Sequence, residues 1–267
     1  MNNVFDIKRF GNYLVYDLRR AKNNYLISLL LMGLTPVAFF LIYQFFSLIS
    51  GNGVTEMPDE MRIIAVAVSI MVVVLGAGAK IYGSITEKRA GSDFLMLPAS
   101  TLEKWLSMVL IVCIVLPIVL FVLLFVSDGI MGLLFPNSYG DRFFESDFTN
   151  GLINGISGEE GFYFNLPACL FLNWCESLLI FTLGAVCFKK AKVAKTLLCM
   201  MAFSMIISPL MVLIFGRTNI DTDWLMERFN DADSIINTIN WALSILYTLV
   251  IGGLLAGLYF RLRTLKH

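Results

Sequence analysis

The sequence predicts an all-α polytopic membrane protein: six transmembrane helices preceded by an amphipathic interfacial helix, forming one domain over residues 1–267. Three observations carry that prediction. The composition is 58% hydrophobic and 15% charged with a mean hydropathy of +0.77, whereas soluble domains are about half apolar and a quarter charged. Six apolar runs follow one another, each of roughly 20 residues or more, enough to cross about 30 Å of hydrocarbon as helix. The charges sum to zero but are segregated by loop.

Residues 4–24 read as the interfacial helix. Ile7, Phe10, Leu14, Leu18, Ala21 and Tyr25 recur at steps of three and four, one stripe of a helix. Arg9, Asn12, Tyr16 and Arg20 fall on the opposite side, so the stripe is expected to rest in the plane of the membrane surface. No secretory leader is expected, since Asp6, Lys8, Arg9, Asp17, Arg19 and Arg20 interrupt this stretch. The first span must then act as the insertion signal.

The spans are expected at about 25–49, 63–83, 105–126, 166–188, 194–215 and 235–260. Pro36 falls inside the first as a kink candidate, Pro167 in the first turn of the fourth, where proline is tolerated, and Pro209 near the outer end of the fifth. Sixteen of the 20 Lys and Arg residues lie on one side of this arrangement, in the N-terminal stretch, the 2–3 and 4–5 connections and the C-terminal stretch. Arg62, Arg142, Arg217 and Arg228 lie on the other. Cytoplasmic loops carry the excess of positive charge, so both termini are expected in the cytoplasm of a cell with this chain in its inner membrane. An even number of spans follows.

The opposite loops are acidic. The longest, about 127–165, is rich in glycine and aromatic residues, and part of it is expected to fold back on the interface. The loop at 217–234 carries Trp224, Leu225 and Phe229, the pattern of a short interfacial helix. Asp128 is expected at the interface. The five cysteines sit in or beside apolar runs, so they read as small packing residues rather than a disulfide framework. Gly76, Ala79 and Gly83 in span two, and Gly252, Gly253, Ala256 and Gly257 in span six, are small residues of the kind that let helices approach closely in lipid. They serve either packing within one subunit or a contact between copies.

Catalytic equipment is sparse. The single histidine is His267, which leaves no histidine triad, zinc or haem site. Gly78 to Gly83 has the outer spacing of a phosphate loop, but Ser84 and Ile85 stand where Lys and Ser/Thr are required. Glu176 is the exception to an otherwise apolar interior. It falls mid-way along span four with Asn173 and Ser177 at helical spacing. An acid at that depth costs about 2.5–3.5 kcal/mol on insertion scales and should face protein or water. It marks either a translocation path or a hydrogen bond fastening two helices.

Between spans two and three, residues 84–104 read SITEKRAGSDFLMLPASTLEK. Pro98 ends any preceding helix, and Ser100 with Glu103 form a capping box for a helix starting at about Thr101. An apolar tetrad, Phe94 to Leu97, stands among Lys80, Lys88, Arg89 and Lys104. It is either a docking surface for a soluble partner or a loop resting on lipid headgroups.

This connection, of the form E-K-R-x-G-x-x-x-L-x-L-P-A-S-x-x-E-K from Glu87 to Lys104, resembles that of permease subunits of ABC-2-type ATP-binding-cassette transporters. The N-terminal amphipathic helix and six-span layout fit the same family. The resemblance implies an elbow helix and a coupling helix docking on a separate ATPase, with Glu87, Arg89, Asp93, Phe94, Leu95, Leu97, Pro98, Ser100 and Glu103 at the contact. Lys189 and Lys190 of the 4–5 connection resemble its second cytoplasmic contact. It further implies an exporter working as a pair of permeases, two copies or a copy and a paralogue. No cofactor would bind this chain; ATP and Mg would be held by the partner, and no nucleic acid is expected. Asn173, Glu176 and Ser177 are the candidates for the path. The outer half departs from the family in lacking a clear pair of re-entrant helices between spans five and six. A six-span carrier or assembly factor working without ATP is the alternative.

Overall fold

The computed structural model describes residues 5–87, 91, 94, 96–140, 142, 156–157, 163–164, 166–215 and 232–265. The described chain is helical apart from one antiparallel pair of two-residue strands, β1 (Ile156–Ser157) and β2 (Tyr163–Phe164). Six helical stretches are long and apolar enough to span a membrane.

The first is α1 (Ile7–Gly33) followed by α2 (Thr35–Ile49). Asp6 caps α1, its carboxylate accepting from the Lys8 amide at 2.8 Å and the Arg9 amide at 3.3 Å. The helix then passes Tyr25 without a break. Neither glycine nor proline occurs between Asn12 and Met32 to stop it. The interruption comes at Leu34, just ahead of Pro36, which lies in the first turn of α2 where its missing N–H leaves no bond unmade. The 43 residues from Ile7 to Ile49 would measure about 65 Å as helix, twice the hydrocarbon thickness. The N-terminal part of α1 therefore extends beyond the hydrocarbon or runs along it.

The buried face of α1 differs from the predicted stripe. Tyr13, Asp17, Ala21, Tyr25, Leu29 and Gly33 face inward at strict steps of four, while Ile7 is 78% exposed. Hydropathy alone puts Asp17 outside. In the fold its carboxylate is taken up by hydroxyls from two other helices, and the stripe rotates to follow it.

Span two is α3 (Asp59–Tyr82), ending in a 3-10 turn at Gly83–Thr86. Span three is α4 (Thr101–Leu110), a π-helical turn at Ile111–Val115, and α5 (Leu116–Leu134). The short α6 (Pro136–Tyr139) follows. Spans four, five and six are α7 (Leu166–Cys187), α8 (Lys192–Phe215) and α9 (Ala232–Thr264).

The centre of the bundle is the crossing of α3 and α7. A Cβ at Gly78 would stand 2.8 Å from the Thr182 Cα, so the backbones touch there because residue 78 has no side chain. Gly76, the predicted contact, has only the Tyr25 hydroxyl near it, at 3.9 Å. In α9, Gly257 meets Leu183, whereas Gly252 and Gly253 have no neighbour within 4 Å among the described residues. Residues of α8 and the outer part of α9 are largely exposed, leaving apolar surface for lipid or another chain.

Hydrogen bonds gather four segments at one end of the bundle: the start of α1, residues 83–105, residues 186–192 and the end of α9. This is the basic end. At the acidic end, Tyr139 donates to Asp128 at 2.7 Å and the Arg62 guanidinium lies 5.6 Å from the Tyr139 ring centre. Burial, with Asp128 beside it, pushes the Tyr139 phenol well up. Asp128 is thus enclosed, 3% exposed. The interfacial helix expected at 217–234 lies outside the described residues, apart from the start of α9, as does most of the long loop.

Candidate functional site at the basic end

The 84–104 connection is built from its caps outward. Ser100 and Glu103 make the capping box their spacing predicts: the Glu103 amide donates to the Ser100 hydroxyl at 3.3 Å, and the Ser100 amide donates to Glu103 at 2.8 Å. Glu103 does more than cap. It accepts from Arg9 Nε at 2.9 and 3.0 Å, from the second Arg9 nitrogen at 2.7 Å, and from the Asp6 amide at 3.0 Å. Its side chain is fully enclosed. The first turns of α1 and α4 are therefore locked to one carboxylate, and Glu103 is structural, with no face left for a partner.

Lys104 is also enclosed, at 7% exposure. Its ammonium donates to the Phe94 carbonyl at 2.7 Å and lies 4.9 Å from the Phe94 ring centre. A buried ammonium requires such a partner, and this one turns Phe94 inward, to 3% exposure. Phe94 therefore belongs to the core and not to an exposed docking face. The apolar surface that remains outside is Met96, 81% exposed, with Pro98 and Leu102; Leu97 is half-buried. Glu87 is exposed. Arg89, Asp93 and Leu95 lie outside the described residues.

Beside this surface is a hollow of about 480 Å³ between α1 and the connection, lined by Lys8, Asn12, Tyr16, Leu97, Pro98 and Ala99 among others. It pairs a basic helix face with an apolar ledge. The 4–5 connection reaches the same end. Lys192 donates to the Gly83 carbonyl, and the Thr86 hydroxyl donates to the Phe188 carbonyl at 3.4 Å. Ala191 adopts a left-handed φ of 50° at the tight turn between α7 and α8. Lys189 and Lys190 beside it are exposed. From α9, Arg261 donates to the Val186 carbonyl at 3.3 Å, and Trp105 donates to the Leu255 carbonyl at 3.0 Å. The two connections and both terminal helices are thus braced into one junction.

The path candidates lie apart from it. Asn173 is exposed, and Glu176 and Ser177 are half-buried. Glu176 has no hydrogen-bond partner among the described residues. Sequence reasoning missed Asp17, which is 1% exposed and accepts from Tyr82 at 3.0 Å and Ser107 at 2.8 Å. Its remaining oxygen has no partner. The available signal was its place four residues from both Tyr13 and Ala21. Among the described residues, no cluster of three or more His, Cys, Asp or Glu side chains is arranged to hold a metal.

Compared with known proteins, the chain matches no family model, no curated protein and no solved structure.

Proposed function

We propose that this chain is the permease subunit of an ABC-2-type exporter, embedded in the cell inner membrane and driven by a separate cytoplasmic ATPase. The observation that carries the reading is the construction of the 84–104 connection. An ordinary loop needs no fully buried carboxylate and no buried ammonium; this one uses both, and the result is a rigid ledge presenting Met96, Pro98 and Leu102 outward. The positive-inside rule puts that ledge in the cytoplasm, with both termini beside it. The N-terminal part of α1 serves as the elbow helix. Lys189 and Lys190 offer a second, charged contact at the same end.

The permease itself would hold no nucleotide, and hydrolysis belongs to the partner. Coupling is then mechanical. A push on the ledge passes through Glu103 to α1 and along α4 into span three. The outward apolar faces of α8 and α9 suit a second copy or a paralogue, with the path between the two chains and Glu176 at its wall.

The test is site-specific photocross-linking from Met96 in native membranes. The expected adduct is a chain carrying a phosphate-loop signature, and the purified complex should hydrolyse ATP. Met96→Asp combined with Leu102→Asp should abolish co-purification of that chain while leaving the melting temperature unchanged, because both side chains are exposed. A preparation without ATPase activity, and without any phosphate-loop chain cross-linked at residue 96, would overturn the proposal.

A further inference from the structure

One side of α1 carries a second stripe, which starts on exposed cations and runs into the buried face at Leu29 and Gly33. Arg19, Lys22, Leu26 and Leu29 follow one another at steps of three and four and end at Gly33, so they share a face. The stripe changes from cationic to apolar along its length. It forms one wall of a cavity of about 380 Å³, whose other wall includes Ile111, Val115 and Val119 of span three. That volume falls within the range of roughly 300–1,000 Å³ in which proteins hold small ligands.

The gap is built into the backbone. Below it, α1 and α4 are held together by Asp17 and Ser107 at 2.8 Å. Above it, α1 and α5 touch so closely that a Cβ on Gly33 would lie 2.7 Å from the Leu123 Cβ. Between these contacts, span three contains its π-helical turn at Ile111–Val115 and then Pro117. Both features displace a helix from a straight course. From Lys22 to Gly33 is about 16 Å along the helix, close to half of a 30 Å hydrocarbon layer. The cavity therefore has the length of one leaflet, with cations at its membrane-surface end and a closed top.

Arg19 and Lys22 are both exposed, and neither has an acidic partner among the described residues. No carboxylate lines the cavity. We infer that this groove between α1 and span three is a binding site for one anionic phospholipid of the adjoining leaflet, its acyl chain against Leu26, Leu29, Val115 and Val119 and its phosphate between Arg19 and Lys22. The inference does not depend on the ATPase reading, since it needs only a membrane-spanning chain.

The experiment uses the full chain in nanodiscs of phosphatidylcholine and phosphatidylglycerol, with a photoactivatable group on the phosphatidylglycerol acyl chain. Adducts should map to residues 26–29 and 115–119. Native mass spectrometry should show phosphatidylglycerol retained over phosphatidylcholine. Arg19→Gln with Lys22→Gln should lower that preference by about tenfold or more, given about a fivefold contribution per cation near an anionic surface. Both positions are exposed, so this pair should fold as the wild type does. Val119→Trp should remove the adducts by filling the groove. Equal retention of the two lipids, adducts confined to other spans, or a preference untouched by the Arg19 and Lys22 changes would each overturn the inference.

Discussion

Replacing Asp17 with alanine should loosen three helices at once. The Asp17 carboxylate on α1 accepts from Tyr82 at the end of α3 and from Ser107 on α4, at 3.0 and 2.8 Å. All three side chains are almost wholly enclosed. Asp17→Ala removes the shared acceptor and leaves two buried hydroxyls unpaired, each at a cost of about 1–3 kcal/mol. Ser107 has a local escape, because a helical serine can turn back to the carbonyl four residues earlier. Tyr82 has none of that kind. The expected loss is therefore about 2–3 kcal/mol, read as a drop in melting temperature of roughly 4–12 °C on the scale of chains this long. Intrinsic fluorescence of the purified protein during heating measures it. The decisive variant is the triple one, Asp17→Ala with Tyr82→Phe and Ser107→Ala. It leaves no polar group stranded, and substitution of both partners is close to neutral, so most of the loss should return. Wild-type melting of Asp17→Ala, or a triple variant weaker than the single one, would refute the reasoning.

The α3–α7 crossing supplies a paired test. Gly78→Ala puts a methyl against the Thr182 backbone and should cost about 1–3 kcal/mol as overpacking, whereas Gly252→Ala, which meets nothing within 4 Å, should leave melting and membrane yield unchanged; equal effects at the two glycines would contradict the packing described. If the chain is the permease proposed above, Glu176→Gln should change substrate-stimulated ATP hydrolysis by its complex with the ATPase while leaving stability intact, and Glu176→Leu should abolish the stimulation yet insert readily, since the polar cost of about 2.5–3.5 kcal/mol disappears. Wild-type stimulation by both variants would remove Glu176 from the path.

The helices were legible in the sequence because the bilayer restricts what a long apolar run can be. Residues 105–126 had no alternative to a span, and the Ser100–Glu103 box marked its start to the residue. The faces of the helices were less legible. Hydropathy rewards apolar side chains for being inward, but in lipid the outward face is apolar too. Ile7, placed on the same apolar stripe as Ala21 and Tyr25, is therefore exposed while they are buried, and Asp17, outside that stripe, is buried by its hydrogen bonds. The same difficulty shifted the small-residue contact from Gly76 to Gly78, since both lie among small neighbours and only the position of α7 distinguishes them. Within the connection, the tetrad at 94–97 read as one apolar surface. Its division into an inward Phe94 and an outward Met96 depends on Lys104, ten residues from Phe94, and no local pattern encodes that pairing.

That division bears on how a force would travel through the molecule. If Phe94 and Glu103 stood on the outer surface, a partner could grip the connection without moving the bundle, because a flexible loop absorbs displacement. Both are instead enclosed and bonded inward. Met96, Pro98 and Leu102 are consequently mounted on a base tied to α1 through Arg9 and to α4 through the capping box. The start of α1 is in turn one helix with residues that reach Gly33, just before the break at Leu34 and in contact with Leu123 of span three. Displacement of the ledge must then either move α1 against span three or pull the enclosed Glu103 carboxylate away from the half-exposed Arg9 guanidinium and the Asp6 amide together, and stranding a buried charged acceptor costs more than the ~1–3 kcal/mol of a neutral one. The first course is the easier one. It also passes through the groove between Arg19 and Val119, where the two helices are already apart.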